Sequence, residues 1–198
     1  TLIIAISTIV GHLLSCSIVA YGFARLNGPG KGFFFVLMLS TLMLPYPVTM
    51  VPLFIIFSKL GLINSFIPLI LPAFFGNAFY IFLLRQSFKQ IPVDLEDAAR
   101  LDGAGTLQVL LNVILPLSRP ALATVAIFTF QAAWNDFLGP LIFLHDQSLY
   151  TLQLGLSLFR GAYNVQWAYL MAASLVVTLP VIAIFFIAQK SFIEGVGF

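Results

Sequence analysis

Four of the chain's seven acidic residues, Asp94, Glu96, Asp97 and Asp102, fall in or beside one short stretch ending at Pro116, with long charge-free apolar runs on either side. Acids grouped in this way offer charge complementarity to a basic partner surface. They do not suggest catalysis, because no nucleophile–base pair and no cluster of His, Cys or acidic metal ligands lies within or beside the apolar runs. A second set of candidates is polar and lies inside those runs. Gln131, Trp134, Asn135 and Leu138 share one helical face, placing two amides and an indole together. Amides match the hydroxyls of a polyhydroxylated solute and an indole offers it a flat apolar surface, although the same groups equally suit hydrogen bonds between spans or an interfacial anchor. Asn77, Tyr80 and Thr49 are weaker candidates of the same kind, and Asp136 sits near the outer end of its run. His12 lies among Ser7, Thr8, Ser15 and Ser17 with no carboxylate in its own run, so an interhelical hydrogen bond is expected there rather than a proton relay.

The elements that hold these residues must be membrane helices. With 61% hydrophobic and only 8% charged residues, the chain departs far from the composition of soluble domains, and its mean hydropathy is +1.06. Five spans are expected, over residues 2–23, 33–57, 66–84, 121–138 and 166–188, each able to cross a hydrocarbon core about 30 Å thick. The continuous apolar runs show no period-two alternation, which makes the fold all-α, a polytopic helical bundle rather than a barrel. The net charge of +2 is dispersed and argues against nucleic acid, while the single Cys16 lies in an apolar run and allows no intrachain disulfide.

Basic residues set the orientation. If the first span runs inward, Arg25, Lys31, Arg85, Lys89, Arg100, Arg119 and Lys190 are cytoplasmic, and only Lys59 and Arg160 are outside. The acidic stretch, within a loop over residues 85–118, then faces the cytoplasm, and residues 139–165, with His145, Asp146 and Arg160, form an external loop. Thr1 opens directly into an apolar run without a basic leader, so the chain reads as a fragment lacking at least one earlier span. The prolines in Leu44-Pro45-Tyr46-Pro47 and at Pro52 are expected to kink the second span.

Within the acidic stretch, Pro92 suits a first helical turn and Asp94 and Glu96 suit its positive end. Glu96 and Arg100 are spaced i,i+4 with the acid first, and Gly103 is the natural stop. A second helix follows, with Leu107, Leu110, Leu111 and Ile114 forming an apolar stripe opposite Gln108 and Asn112. Leu115-Pro116 is expected to break it, and Ser118 before Pro120 to start the next span. The product is helix, glycine turn, amphipathic helix, either a docking element or a solvated loop kept out of lipid by its charges. For docking, Ala98 and Ala99 permit close approach and Leu101 supplies an apolar knob.

This segment resembles the EAA loop of permease subunits in bacterial binding-protein-dependent ABC importers, whose pattern is Glu-Ala-Ala, three residues, Gly, nine residues, Ile, one residue, Leu-Pro. Asp97-Ala98-Ala99 precedes Gly103 at that spacing, and Val113, Leu115 and Pro116 fill the distal positions. Asp97 stands in the glutamate slot with Glu96 beside it, and Val113 in the isoleucine slot. The likeness covers nearly the whole chain and points to the carbohydrate-uptake branch, similar to its maltose-type G subunits. It is carried by Ala20-Tyr21-Gly22-Phe23-Ala24-Arg25, by Pro45, Pro52 and Gly61-Leu62, by Phe82-Leu83-Leu84-Arg85-Gln86 with Ile91-Pro92, and by Trp134-Asn135-Asp136-Phe137. On that alignment the five spans are numbers two to six of a six-span core, and Phe198 falls short of the family's final tail.

The resemblance implies the type I ABC importer transmembrane fold, a single permease domain over 1–198, in a bacterial cytoplasmic membrane. It implies as partners two ATP-hydrolysing subunits, a second permease subunit and an external solute-binding protein. It also makes Glu96, Asp97, Ala98, Ala99, Arg100, Leu101, Asp102, Gly103, Ala104 and Pro116 the residues that couple to the ATPase. The chain has no glycine-rich phosphate loop, so no cofactor is assigned to it and ATP–Mg belongs to the partner. A sugar or oligosaccharide is the expected solute; a polyol, sugar phosphate or amino acid is the alternative. An ion-coupled secondary transporter, the rival class, calls for paired ionisable groups near midplane, where this chain offers His12 and the peripheral Asp136.

Overall fold

A computed structural model describes residues 1–160 and 166–196, with side chains up to Phe186 in the last helix. Twelve α-helical pieces appear among them and no strand: α1 Leu2–Arg25, α2 Lys31–Ser40, α3 Tyr46–Lys59, α4 Ile67–Ile70, α5 Ala78–Gln90, α6 Val93–Leu101, α7 Thr106–Val109, α8 Leu115–Leu117, α9 Arg119–Asn135, α10 Leu138–Phe143, α11 Leu152–Leu156 and α12 Trp167–Val196. Three stretches are long and apolar enough to cross a membrane: Leu2–Arg25, Ile67–Gln90 and Trp167–Phe186. Two bent helix pairs raise that number to five if each pair is one span.

The central element is α1, which packs against α5, α9 and the 71–75 segment. Its buried face carries Ala5, Gly11, Ser17 and Ala20. Small residues let helix backbones approach closely where lipid supplies no hydrophobic drive for association. Gly11 shows how closely: a Cβ added there would lie 2.9 Å from the Phe74 ring and 3.1 Å from Ala73 Cβ. Between α4 and α5 the chain passes through a 3₁₀ turn, Leu71–Phe75, and through Gly76 at φ +90°. Backbone groups freed by such a break need partners inside a bilayer. α1 supplies them: Ser15 Oγ donates to the Ala73 carbonyl at 2.9 Å, and the Asn77 N–H lies 3.3 Å from Cys16 Sγ.

Two expected spans are bent far beyond a kink. The sequence predicts one kinked helix over residues 33–57, but α2 with its 3₁₀ extension to Met43 meets α3 at 97°. Leu44 and Pro45 are extended, at ψ 114° and 139°, because a residue before proline avoids the helical region and Pro45 itself precedes a new helix with Pro47 in its first turn. Pro52, by contrast, lies inside α3 without ending it. The second bend, 81°, separates Thr106–Leu117 from α9. It falls at Ser118 rather than at Leu115-Pro116, since Pro116 is accommodated in the first turn of α8. Ser118 precedes α9 as expected, but its hydroxyl makes no capping bond. α9 also ends at Asn135, three residues before the expected Leu138, where Asp136 turns extended.

One end of the bundle is tied by arginines. Arg25, in the last turn of α1, donates to the Phe88 carbonyl at 2.7 Å and to the Ile91 carbonyl at the end of α5. Arg85 on α5 returns the contact through Nε to the Phe23 carbonyl of α1 at 3.0 Å, with its guanidinium 4.0 Å above the Phe35 ring. Each arginine thus satisfies carbonyls left open at the other helix's C-terminus. The opposite end is tied by Asn64, whose Oδ1 accepts the N–H groups of His145 and Asp146 at 3.0 and 2.9 Å. The described residues of the expected external loop carry α10 and α11, and residues 161–165 lie outside the described residues.

Candidate functional site

The acidic stretch sits at the arginine end and is built into the bundle. α6 starts after Pro92 with Asp94 and Glu96 in its first turn. It closes in a complete Schellman motif: Gly103 has φ +89°, the Gly103 N–H donates to the Arg100 carbonyl at 3.0 Å, and the Ala104 N–H to the Ala99 carbonyl at 2.9 Å. Gln108 Oε1 then accepts the Gly105 N–H at 2.7 Å and starts α7. The segment that follows, Leu110–Ile114, is π-helical.

That π-turn divides the expected apolar stripe. Leu110 and Ile114 are buried together with Val109, inside the main core formed with Tyr21, Leu84, Phe88 and Val125. Leu107 and Leu111 face outward, 62% and 52% exposed. Widening the hydrogen-bond ladder from i,i−4 to i,i−5 inserts one residue into the face that points inward, so the 3.6-residue period no longer predicts it. The consequence is mechanical: the second half of the stretch is part of the bundle core rather than a loop laid against it.

The two neighbouring acids have opposite environments. Glu96 is buried, with Oε1 2.6 Å from Arg25 Nε and Oε2 accepting from the Tyr21 hydroxyl at 3.3 Å, while Arg100 approaches Oε2 at 3.7 Å. The Arg25 contact is close but off the line of the N–H, an ion pair rather than a directed hydrogen bond. Asp97 is exposed, as are Ala98, Arg100, Asp102 and Gly103, and Leu101 protrudes with 89% of its surface free. Ala99 and Ala104 are half-buried and Pro116 is exposed. So Glu96 fastens the element to α1, and Asp97 with Leu101 forms its outward face. Arg25 and Tyr21 were not singled out for this from sequence. No local signal joins Arg25 to a residue 71 positions later, apart from the unusual cost of a buried acid that must find a cation.

The intramembrane candidates separate. Trp134 is buried, stacks on Phe130 with ring centroids 5.1 Å apart, and donates from Nε1 to the Val177 carbonyl of α12 at 3.0 Å. It joins two spans and is turned away from Gln131 and Asn135, which are exposed. Gln131 and Asn135 line a shallow groove with Phe79, Tyr80 and Phe128, and Asn135 Oδ1 accepts from Gln153 Nε2 at 3.2 Å. Asn77 caps α5, its Oδ1 accepting the N–H groups of Phe79 and Tyr80 at 3.0 and 3.3 Å. An asparagine directly before an apolar helix was a readable capping signal. Thr49 bonds its own turn at the Tyr46 carbonyl.

His12 makes the expected interhelical bond, Nδ1 to Thr129 Oγ1 at 3.2 Å, and lies edge-on to Tyr80. These three residues border a cavity of about 390 Å³, further lined by Thr8, Tyr46 and Asp136 and by a floor of prolines, leucines and Phe143. Asp136 is half-buried there, and its Oδ1 accepts the Gly139 N–H at 3.1 Å. In the turn after α10, the Ser148 N–H and hydroxyl hold the Asp146 carboxyl below its ordinary value. Among the described residues no group of three His, Cys, Asp or Glu side chains is placed to hold a metal.

The chain is similar to known proteins over almost its whole length. A probable ABC transporter permease protein, YurM, of Bacillus subtilis (strain 168) is 41% identical over 179 residues, covering 90% of this chain and 60% of the relative. The arabinooligosaccharides transport system permease protein AraQ of Halalkalibacterium halodurans is 36% identical over 192 residues, 97% of this chain and 68% of the relative. The chain thus spans about two thirds of the length of such relatives or somewhat less. Among solved structures, a chain of a bacterial ABC transporter involved in the import of the acidic polysaccharide alginate superposes with a TM-score of 0.85 at 27% identity, over 96% of this chain and 72% of that one. Residues 13–196 match the family model of the binding-protein-dependent transport system inner membrane component, and the protein belongs to that family.

Proposed function

We propose that the chain is the membrane-spanning subunit of an ATP-driven importer that carries an oligosaccharide into the cell, and that α6 seats in a separate ATPase subunit. The observation that carries the coupling half of this reading is the contrast within α6. Leu101 protrudes beside the exposed Asp97, while Glu96, one residue earlier, is clamped to α1. A knob on a freely moving loop would dissipate a push. A knob on a helix tied to α1 by an ion pair, and continuous through Val109, Leu110 and Ile114 with the core, passes it to the spans.

Closure of two ATPase subunits on bound ATP–Mg then moves α6 and, with it, α1, α5 and α9 as one body, a rotation about subunit interfaces that alternates access between the two sides. A second permease subunit covers the exposed apolar faces of α2 and α3, where Phe33, Val36 and Val51 lie open, and an external binding protein delivers solute at the Asn64 end. The relatives' transport of arabinooligosaccharides and alginate supports a saccharide as cargo. The test is ATP-dependent saccharide uptake into proteoliposomes holding the complete complex with its binding protein. Uptake that Leu101→Ala abolishes while the spans remain folded supports the reading; uptake driven by a proton or sodium gradient without ATP overturns it.

A further inference from the structure

The cavity beside His12 is not accounted for by helix packing. Its polar lining comes from separate elements: Thr8 and His12 from α1, Tyr46 from α3, Tyr80 from α5, Thr129 from α9, and Asp136 from the turn before α10. Several of these groups are already oriented. Thr8 Oγ1 donates back to the carbonyls of Ile4 and Ala5 at 2.8 and 3.0 Å, which turns its lone pairs toward acceptance. His12 Nδ1 is held by Thr129, leaving Nε2 free to bond a ligand, and the Tyr80 ring lies edge-on to the imidazole. Asp136 is fixed through Oδ1 by the Gly139 N–H. Around them stand Leu53, Pro68, Pro72 and Phe143, a flat apolar boundary.

A volume of about 390 Å³ with an apolar wall and a few converging polar groups has the size and make-up of a small-molecule site. The donors and acceptors match hydroxyl groups, and aromatic faces match the C–H faces of a pyranose or furanose ring. The charge balance is equally informative. Among the described lining residues there is no lysine or arginine, and the one carboxylate, Asp136, accepts bonds from hydroxyls but repels a second anion.

We infer that this chain contributes a solute subsite of its own in this cavity, fitted to a neutral polyhydroxylated ring, and that Asp136 sets its specificity by excluding carboxylated and phosphorylated sugars. The inference rests on the proposed transport of saccharides. It names the class of saccharide.

The complete transporter in nanodiscs, without its binding protein, is titrated with arabinotriose as the neutral probe and a mannuronate trisaccharide as the acidic one, with binding followed by saturation-transfer NMR. The expected result is at least a roughly ten-fold preference for arabinotriose, narrowed to within about three-fold by Asp136→Asn, whose side-chain oxygen still caps Gly139. Thr129→Val, two turns earlier along α9, should weaken arabinotriose without changing the preference. Thermal unfolding of each variant checks that the fold is kept. Equal binding of the two probes to the unmodified complex, a preference unmoved by Asp136→Asn, or no binding of either probe overturns the subsite. ATP-driven arabinotriose uptake through the binding protein would in those cases leave the transport reading standing, whereas absence of any saccharide uptake removes both.

Discussion

Glu96→Ala is expected to loosen the bundle, although Glu96 lies in the segment assigned to partner contact. Its carboxylate is 2.6 Å from Arg25 Nε, and the two side chains are only 3% and 9% exposed. Deleting one member of a buried ion pair leaves the other charge uncompensated and costs about 3–5 kcal/mol. Arg25 keeps the Phe88 and Ile91 carbonyls as acceptors, which places the cost near the lower end, about 3 kcal/mol. For a chain of this size that is a fall in Tm of about 6–12 °C. Removing both charges, with Arg25→Met in the same chain, should cost less than the sum of the single changes, by roughly 1–3 kcal/mol. The assay is thermal unfolding of the purified permease assembly in detergent, with Asp97→Ala as the control expected to stay within about 1 °C of the parent. A Glu96→Ala protein as stable as the Asp97→Ala protein would refute the clamp, as would strict additivity in the double variant.

Three further outcomes are expected. At Gly103 an added Cβ would meet nothing within 4 Å, so Gly103→Ala should cost only the strain of φ +89°, about 1–2 kcal/mol, and Gly103→Asn should recover part of it; both are read from Tm and from saccharide taken up per ATP hydrolysed. Trp134→Phe keeps the Phe130 stack but removes the bond to the Val177 carbonyl, lowering stability by about 1 kcal/mol with KM for uptake unchanged, and a raised KM at unchanged Tm would return the ring to the solute path. Asn64 has φ +60° and accepts two backbone N–H groups, so Asn64→Gly should restore the conformation but not the bonds, leaving its Tm between those of the parent and Asn64→Ala.

What could be read from the sequence was local. Pro92, the acids after it and Gly103 define α6 through rules that act within one turn, and they place it at Val93–Leu101 with a left-handed stop. The apolar run from Leu2 likewise fixes α1, because a span needs only length and hydropathy. The departures are tertiary or turn on one residue. Leu44-Pro45-Tyr46-Pro47 announces a break but not its angle, which depends on what α3 packs against. The π-turn at Leu110–Ile114 shifts a face by one residue without any marker residue. Trp134 and Asn135 are adjacent in the chain, and the edge of the buried stripe passes between them, set by Val177 some 43 residues away. The polar cavity was visible only in parts, Thr8, His12, Tyr80 and Asp136, since nothing local in the sequence shows that elements so far apart meet around one space.

The central claim is that α6 faces the ATPase and the Asn64 turn faces the binding protein. It is tested most directly by single cysteines at the two ends, Leu101→Cys and Asn64→Cys, in the assembled transporter, with the parent carrying only the buried Cys16 of this chain as the background control. With a maleimide–benzophenone reagent attached to each cysteine and activated by light, position 101 is expected to crosslink to the ATPase subunit, with a yield that changes when ATP–Mg is added, and position 64 to the binding protein. The reverse pattern, or a position 101 that captures no ATPase, would contradict it.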